Sequence, residues 1–204
     1  MTDPLLKYRE QHKHRLNYMP WLYWSLKPKH REWAEQWQAE YQAYLMEMET
    51  VEIGKNCFIS PLAHIFAERG RKISIGDNTF IAADCTLHGP LQIGSEVAIN
   101  HHCILDGGRA GIKLHDQVRI AAYSHLYAFD HGMHLDRPIY QQAVTSKGIE
   151  IGRDVWLGAH VGIKDGVKIG HHAVVGMNSM VTKNIEDFAI VAGNPARLIR
   201  YRTE

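Results

Sequence analysis

The sequence lacks the features that mark secreted, membrane-spanning or nucleic-acid-binding proteins. Its 204 residues include only three cysteines, an odd number that does not suggest a disulfide framework. No stretch approaches the ~18 consecutive apolar residues of a transmembrane helix, and the segment Met1 to Pro4 does not start like a signal peptide. The formal net charge is +1, so no overall field favours nucleic acid. These absences lead us to expect a cytoplasmic protein of one domain.

The most regular feature that the sequence does have is an aliphatic residue at every sixth position. Eighteen such residues, here called the marker residues, recur with three interruptions. A helix of 3.6 residues per turn would spread this period around its surface, whereas a parallel β-helix uses six residues for one short strand and one corner. At three strands per coil, the marker residues predict about six coils. They are Ile53, Ile59, Ile65, Ile75, Ile81, Leu87, Ile93, Ile99, Leu105, Leu114, Ile120, Leu126, Ile151, Leu157, Ile163, Ile169, Val175 and Val181.

A second inward position follows most markers by four residues and usually holds a small side chain. Cys57, Cys85 and Cys103 all occupy this position. Free cysteine behaves as a small apolar residue when it is buried. We therefore expect the three cysteines to be buried in the coil, without a catalytic or metal-binding role.

The three interruptions indicate where the coil releases loops, and such loops often carry functional residues. The first adds four residues to the period and the second adds three, whereas 25 residues separate the markers that flank the third. We predict a β-helix over residues 51–200 with an excursion loop over residues 127–149. The flanking markers are Ile65 and Ile75, Leu105 and Leu114, and Leu126 and Ile151.

Residues 1–50 lack the repeat and are predicted to form an N-terminal helical cap. Asp3 and Pro4 suit the start of one helix, and Pro28 suits the start of a second helix with an apolar stripe. Residues 1–31 hold seven Lys or Arg and two acidic residues. This excess leaves two interpretations open: a cover for the end of the coil, which we favour, or a platform for an anionic lipid-linked substrate or a membrane. The stripe is Trp33, Trp37, Tyr41, Tyr44, Leu45 and Met48.

Three segments of the coil carry the motifs of a known family. Residues 148–159 read GIEIGRDVWLGA, residues 181–184 read VTKN, and residues 191–197 read VAGNPAR. Together they resemble the hexapeptide-repeat acyltransferases, in particular the O-acetyltransferases of galactosides, maltose, nodulation factors, capsules and streptogramins. The resemblance implies an all-β fold, a left-handed parallel β-helix of hexapeptide repeats with a short N-terminal α-helical segment. It also implies a homotrimer with active sites between subunits, and acetyl-CoA as donor with no metal. The acidic N-terminal motif of the galactoside and maltose enzymes is absent, which argues against those sugars.

The histidine that best suits general-base chemistry is His131, because it stands in the longest loop. An imidazole accepts and returns a proton near neutral pH, since its ordinary pKa is about 6.5. His131 follows Asp130 and precedes Trp156 by 25 residues, which matches the catalytic histidine of the family. The resemblance further implies that the acceptor is bound by Asn100, Asp106, Tyr127 and His134.

The donor residues are implied by the resemblance as well. Trp156 and Ala159 correspond to positions beside the pantetheine arm, and Thr182 and Lys183 match a Thr-Lys pair near the cofactor. Two arginines of the tail are spaced to meet phosphate groups, for which a guanidinium fork is well suited. These arginines are Arg197 and Arg200.

The sequence thus predicts an acetyl-CoA-dependent O-acetyltransferase that acts on a hydroxyl of a sugar or related small molecule in a ternary complex. No serine or cysteine lies in a convincing nucleophile–base context, which disfavours a covalent acyl-enzyme. Two alternatives remain open: a metal-binding β-helix of the γ-carbonic anhydrase type, and a non-catalytic β-helical assembly subunit. The metal alternative would draw its ligands from His88, His102, His125 and His131.

Overall fold

Helices precede a long coil of short strands in the computed structural model, which describes residues 4–203. Helix α1 spans Pro4–Tyr18, a 3₁₀ helix spans Pro20–Ser25, and helix α2 spans Pro28–Met48. Each begins with proline, whose missing N–H is not needed in the first turn of a helix. Asp3, the predicted opener of α1, lies outside the described residues. None of the described helices has both the length and the apolarity needed to cross a lipid bilayer.

The coil is built from strands of two to five residues. Three strands make one coil, and a hairpin interrupts the series after the fourth coil. In chain order the strands are β1 Val51–Ile53, β2 Phe58–Ile59, β3 His64–Phe66, β4 Ile73–Ile75, β5 Phe80–Ile81, β6 Thr86–His88, β7 Leu91–Ile93, β8 Ala98–Ile99, β9 Ile104–Asp106, β10 Ile112–Leu114, β11 Arg119–Ile120, β12 His125–Tyr127, β13 Asp130–His131, β14 Val144–Thr145, β15 Ile149–Ile151, β16 Trp156–Leu157, β17 Gly162–Ile163, β18 Lys168–Ile169, β19 Val174–Val175, β20 Met180–Val181, β21 Ala189–Ala192 and β22 Arg197–Tyr201.

The strands stack into three sheets that form the three faces of a prism. The first sheet contains β1, β4, β7, β10, β15 and β18, and the third contains β3, β6, β9, β12, β17 and β20. The second sheet runs β2, β5, β8, β11, β16, β19 and β21, and β22 closes it in antiparallel pairing. All other pairs within these three sheets are parallel. The predicted parallel β-helix of about six coils behind a short helical segment is therefore confirmed.

The marker residues form the core because equivalent markers stack from coil to coil. Ile75 is in register with Ile53 on one side and Ile93 on the other. All the markers except Ile53, which is partly buried, lie in the buried core of the coil. The small inward residues are buried too, and burial raises the pKa of the Cys57 thiol. Cys57, Cys85 and Cys103 are free, buried thiols, as expected.

All three interruptions of the repeat leave the coil at the same corner. Each lies between a strand of the third sheet and the next strand of the first sheet, so the extra residues lie along one edge of the prism, after the first, third and fourth coils. We call this edge the insertion corner. It joins β3 to β4, β9 to β10, and β12 through the hairpin to β15.

The N-terminal helices cover one open edge and part of one face of the coil. The buried side chain of Gln38 in α2 accepts a hydrogen bond from Ile59 N–H at 2.8 Å and donates to Ile59 C=O at 3.1 Å. Phe58, Phe80 and Ala98, which point outward from the second sheet, form a second buried cluster with residues of the helices. In the apolar stripe, Tyr44 and Met48 are exposed. The members of the cluster contributed by the helices include Leu16, Tyr23, Ala34, Trp33 and Trp37.

Candidate functional site

His131 lies on a hairpin that projects from the insertion corner. Strand β13 pairs with β14 in antiparallel register, so His131 faces Val144 and Asp130 faces Thr145. The His131 side chain belongs to an exposed residue, as a group that must reach a substrate requires. The hairpin therefore presents the predicted base outside the coil.

The tip of the hairpin is held by one side chain, that of Gln142. Its Oε1 accepts from His134 N–H at 2.8 Å, and its Nε2 donates to the carbonyls of His134 and Arg137, each at 2.8 Å. These bonds give the backbone around His134 a defined path although its side chain is exposed. His134 thus lies near His131 on the same hairpin.

Hydrogen bonds also fix the base of the hairpin to the coil. The Ser146 hydroxyl donates to Ala128 C=O and accepts from the N–H groups of Arg109 and Ala110 at 3.0 and 2.9 Å. The mostly buried Asp165 carboxylate accepts from Lys147 N–H and Gly148 N–H at 2.9 Å. The excursion is therefore tied to the second interruption and to the fifth coil.

Asp106 and Tyr127 lie in one column at the foot of the hairpin. They are in register on neighbouring coils, each directly after a marker of the third sheet. The Phe129 ring lies edge-on to Tyr127 at 5.8 Å and to His131 at 6.3 Å between ring centroids. Three predicted residues, Asp106, Tyr127 and His131, thus share the insertion corner.

Asp106 is part of a charged cluster that the sequence did not reveal. His88 Nδ1 lies 3.3 Å from Asp106 Oδ2, and His88 Nε2 lies 3.1 Å from Glu68 Oε1. Arg71 Nε lies 3.2 Å from Glu68 Oε1, and one of its terminal nitrogens is 3.8 Å from Asp106 Oδ1. The hydrogen bond with His88 holds the pKa of the Glu68 carboxyl below its ordinary value.

A cavity of about 300 Å³ opens beside this cluster. The first interruption supplies Arg71, the second supplies Gly108 and Arg109, and the excursion supplies Phe129, Val144 and Ser146. His88 and Asp106 complete the wall. The sequence analysis did not name Arg71, Gly108 or Arg109 as site residues. One signal could have identified them: each interruption of the repeat follows the third marker of a coil, so the inserted residues lie at one corner.

Asn100 lies at a different corner, between the second and third sheets. Its Nδ2 donates to Ile120 C=O at 2.9 Å, which leaves the amide oxygen without a donor in the described part of the chain. Equivalent positions in the neighbouring coils are Ala82, Ala121 and Gly158. A partly buried asparagine in a column of small residues is consistent with a role beyond the packing of the coil.

Trp156 and Ala159 lie on the second sheet and at the same corner as Asn100. The Trp156 side chain is exposed, and Ala159 accepts a hydrogen bond from Asn178 N–H through its carbonyl. The N–H of Ala159 has no acceptor within residues 4–203. In the second coil the corresponding N–H, that of Ala83, donates to Asn17 C=O at 2.7 Å. The Ala159 amide is therefore an available donor for a carbonyl group.

Thr182, Lys183 and Arg197 line one cavity of about 330 Å³ at the C-terminal end of the coil. Its other walls are mainly apolar, with Ile185, Val191 and Leu198 among them, and its acidic lining residue, Glu186, accepts a hydrogen bond from the Tyr201 hydroxyl. Two cations beside apolar side chains can hold a group that carries both a phosphate and a flat ring system. Arg200 lies on β22 as well but is not among the residues that line this cavity.

The predicted residues therefore fall into groups at separate places on one chain. Asp106, Tyr127, His131 and His134 belong to the insertion corner, whereas Asn100 and Ala159 lie at the opposite edge of the third sheet. No three His, Cys, Asp or Glu side chains between residues 4 and 203 lie close enough together to hold a metal ion.

The family model described as bacterial transferase hexapeptide (six repeats) matches residues 148–183. A probable acetyltransferase of Mycobacterium tuberculosis is 31% identical over 66% of this chain, and the aligned part spans 44% of that relative. The galactoside O-acetyltransferase of Escherichia coli is 28% identical over 80% of this chain and 70% of its own length. For a chloramphenicol acetyltransferase of Klebsiella aerogenes, with 54% identity over 26% of this chain, the match spans 25% of the relative.

Two solved structures also resemble the chain. AntD, an N-acyltransferase from Bacillus cereus, was solved as a point mutant in complex with dTDP and coenzyme A. It is 32% identical, with a TM-score of 0.71 over 79% of this chain and 89% of AntD. A hexapeptide-repeat-containing acetyltransferase of Vibrio cholerae, in complex with acetyl coenzyme A, is 26% identical with a TM-score of 0.57, over 96% of this chain and 86% of the other.

Proposed function

The chain belongs to the hexapeptide-repeat acyltransferase family, and from this premise we propose that it transfers an acetyl group from acetyl-CoA to a hydroxyl of a small acceptor. The observation that carries this proposal is the position of His131, exposed on a hairpin that is tied to the coil beside Asp106 and Tyr127. General-base catalysis needs an accessible imidazole near a pocket for the alcohol. The cavity of the insertion corner is the candidate pocket: His131 does not line it, but Val144, its partner in the hairpin, and Phe129, whose ring lies edge-on to the imidazole, both do.

In the proposed reaction, His131 accepts the proton of the acceptor hydroxyl while that oxygen attacks the acetyl carbonyl of the donor. The same imidazole then returns the proton to the departing thiolate, so the residue ends as it began. Asp106, with the hydroxyl-bearing ring of Tyr127 in the next coil, is suited to hydrogen-bond other hydroxyls of the acceptor. His134 lines the approach from the tip of the hairpin.

The donor is proposed to bind through Ala159 and through the residues of the C-terminal cavity. Acetyl-CoA supplies the activated acetyl group, and the free N–H of Ala159 suits a carbonyl of the donor. Lys183 and Arg197 would contact its phosphates at the cavity that Thr182 also lines. The solved relative from Vibrio cholerae that contains acetyl coenzyme A supports this donor. Trp156 and Arg200 stay proposed donor contacts from the resemblance alone.

The separation of the residues across the third sheet supports a site that is shared between subunits. His131 and Asp106 lie at one edge of that sheet, while Asn100 and Ala159 lie at the other. In a homotrimer with cyclic symmetry, one edge of each subunit meets the other edge of its neighbour, so three complete sites would form. We therefore assign Asn100 to the acceptor that His131 of the adjacent subunit would activate. The cytoplasm remains the expected location.

The experiment that tests the proposal is a mass-spectrometric screen of pooled sugar nucleotides, glycosides and hydroxyl-bearing antibiotics with acetyl-CoA. The expected result is a product that is heavier by one acetyl group and loses it under mild alkali, since esters hydrolyse there and amides do not. A product that survives alkali would identify an N-acetyltransferase. Failure to bind acetyl-CoA would contradict the enzyme assignment altogether and favour a non-catalytic assembly subunit.

A further inference from the structure

The N-terminal region contains a cavity that the proposed acetyl transfer does not use. It lies between α1 and the segment that joins the 3₁₀ helix to α2, and its volume is about 360 Å³. The two interpretations of the basic N-terminal sequence meet at this cavity, because five of the region's basic or imidazole side chains line it. The lining residues are His12, Arg15, Leu16, Leu22, Ser25, Leu26, Lys27, Lys29 and His30.

The charge around the cavity is of one sign. No aspartate or glutamate of the described residues lines it, and Arg15, Lys27 and Lys29 make no ion pair in residues 4–203. Nearby cations outside the cavity behave differently: Lys13 lies 3.0 Å from Glu10, and Arg31 lies 3.9 Å from Glu35. Lys7 and Arg9 on α1 are likewise without an ion pair in residues 4–203, but they lie outside the cavity, whereas three unpaired cations face one another across it.

Two histidines add to this arrangement. The rings of His12 and His30 are stacked at 4.5 Å, and Trp33 lies edge-on to both. His12 Nδ1 is 2.8 Å from Tyr8 C=O, so that nitrogen carries the proton and donates. Desolvation, with the positive charges of His12, Lys29 and Lys27, lowers the pKa of His30. An anion in the cavity would offset this crowding of positive charge.

The floor of the cavity is apolar, and the wall that α1 forms is fixed to the coil. Leu16 is 1% exposed, and Leu22 and Leu26 are partly buried. The end of α1 is anchored by Ser60 Oγ, which donates to Asn17 Oδ1 at 2.9 Å, and by Tyr18 OH, which donates to Asp84 Oδ2 at 2.9 Å. One wall of the cavity is thus held in place before a ligand binds, which reduces the cost of binding.

We propose that this cavity binds a phosphate or diphosphate group that is attached to an apolar group. The cations Arg15, Lys27 and Lys29 can form charge-assisted hydrogen bonds with phosphate oxygens. The leucine floor can bury an apolar substituent of the phosphate, which is favourable because apolar surface is removed from water. The ligand is either the headgroup of a lipid or a soluble phosphate ester, since both present this chemistry.

Isothermal titration calorimetry of the full chain with octyl phosphate and inorganic phosphate tests the site. We expect octyl phosphate to bind about tenfold more tightly than inorganic phosphate, because only octyl phosphate can use the apolar floor. The double variant Lys27→Gln/Lys29→Gln should weaken octyl phosphate at least about tenfold. The matched control Lys7→Gln/Arg9→Gln removes two charges from α1 outside the cavity and should leave the Kd unchanged.

The proposal is overturned if octyl phosphate does not bind, or if the control variant loses as much affinity as the cavity variant. Sedimentation with vesicles then separates the two sources of the ligand. Binding to vesicles that contain phosphatidic acid, with competition by octyl phosphate, identifies a lipid headgroup. Binding of octyl phosphate without vesicle sedimentation identifies a soluble ester. Acetyl-CoA binding should be equal in all variants, so failure here leaves the proposed acetyl transfer untouched.

Discussion

Asp130 Oδ2 lies 3.2 Å from Lys164 Nζ, so the carboxylate next to His131 is paired with a residue of the fifth coil. Lys164 directly follows the marker Ile163, in the column that contains Asp106 and Tyr127. The pair therefore ties the hairpin strand β13 to the third-sheet edge. Asp130 positions the backbone of His131 through this contact rather than through a hydrogen bond to its ring.

Lys164→Gln should lower kcat/KM about twofold to fivefold, because an exposed ion pair is worth about 0.5–1 kcal/mol and only positions the hairpin. The loss should shrink in high salt, which screens the pair. Steady-state kinetics at low and high salt measure both effects. Lys113→Gln, an exposed lysine on the first sheet, is the control. A hundredfold loss would instead place Lys164 in the chemistry.

Lys183→Gln and Arg197→Gln should each raise the Kd of acetyl-CoA about tenfold, because each removes a charge-assisted contact to a phosphate. Dephospho-CoA lacks the 3′-phosphate. In the variant that has lost the residue contacting this phosphate, removal of the phosphate from the ligand should therefore cause little further loss of affinity. Calorimetry with both ligands checks this. Arg200→Gln tests the proposed contact of Arg200 with the donor: a rise of about tenfold in the Kd would support that contact, whereas a change of less than about twofold would confine the phosphate contacts to the cavity that Thr182 lines.

Ile163→Asp should lower the free energy of unfolding by about 4 kcal/mol or more, because it buries an unpaired carboxylate between stacked coils. Ile163 is 2% exposed and lies in register with Leu126 and Val181. Urea denaturation measures the change, with Lys113→Gln on the outer face as the control. A free energy of unfolding close to that of the wild type would contradict the assigned core.

Gln38→Leu should cost about 1–3 kcal/mol of stability, because it leaves the N–H and C=O of Ile59 buried without partners. Gln38 is 1% exposed. The control Gln36→Leu, on the exposed side of α2, should stay within about 0.5 kcal/mol of the wild type. Equal midpoints of thermal unfolding for the two variants would show that Gln38 does not protect the open edge of the coil.

The fold was predictable from the sequence because a coil forces equivalent residues to stack. Each marker meets its counterpart in the next coil, so the packing requirement repeats every six residues along the chain. Side chains that contact each other in adjacent coils follow the same spacing: His88 and Asp106 are 18 residues apart, which is the length of one uninterrupted coil. The shared corner of the three interruptions was also readable, since Ile65, Leu105 and Leu126 are each the third marker of a coil.

What could not be predicted depends on how separate segments meet. Gln38 lies beside the predicted stripe of aromatic and aliphatic residues in α2. Its role depends on where α2 crosses the edge of β2, which the sequence does not indicate. The grouping of Arg71 and Arg109 around Asp106 depends on the paths of two short loops. Loops carry no periodic pattern, so their side-chain positions are set by local hydrogen bonds such as those of Ser146.

The most direct test of the account is kcat of His131→Ala with the first acceptor that the acetylation screen identifies. Loss of a general base should lower kcat about a hundredfold to ten-thousandfold, while the melting temperature and the Kd of acetyl-CoA stay at their wild-type values. His64→Ala removes an exposed histidine of β3 and should have no effect. Wild-type turnover in His131→Ala would contradict the assignment of His131 as the base.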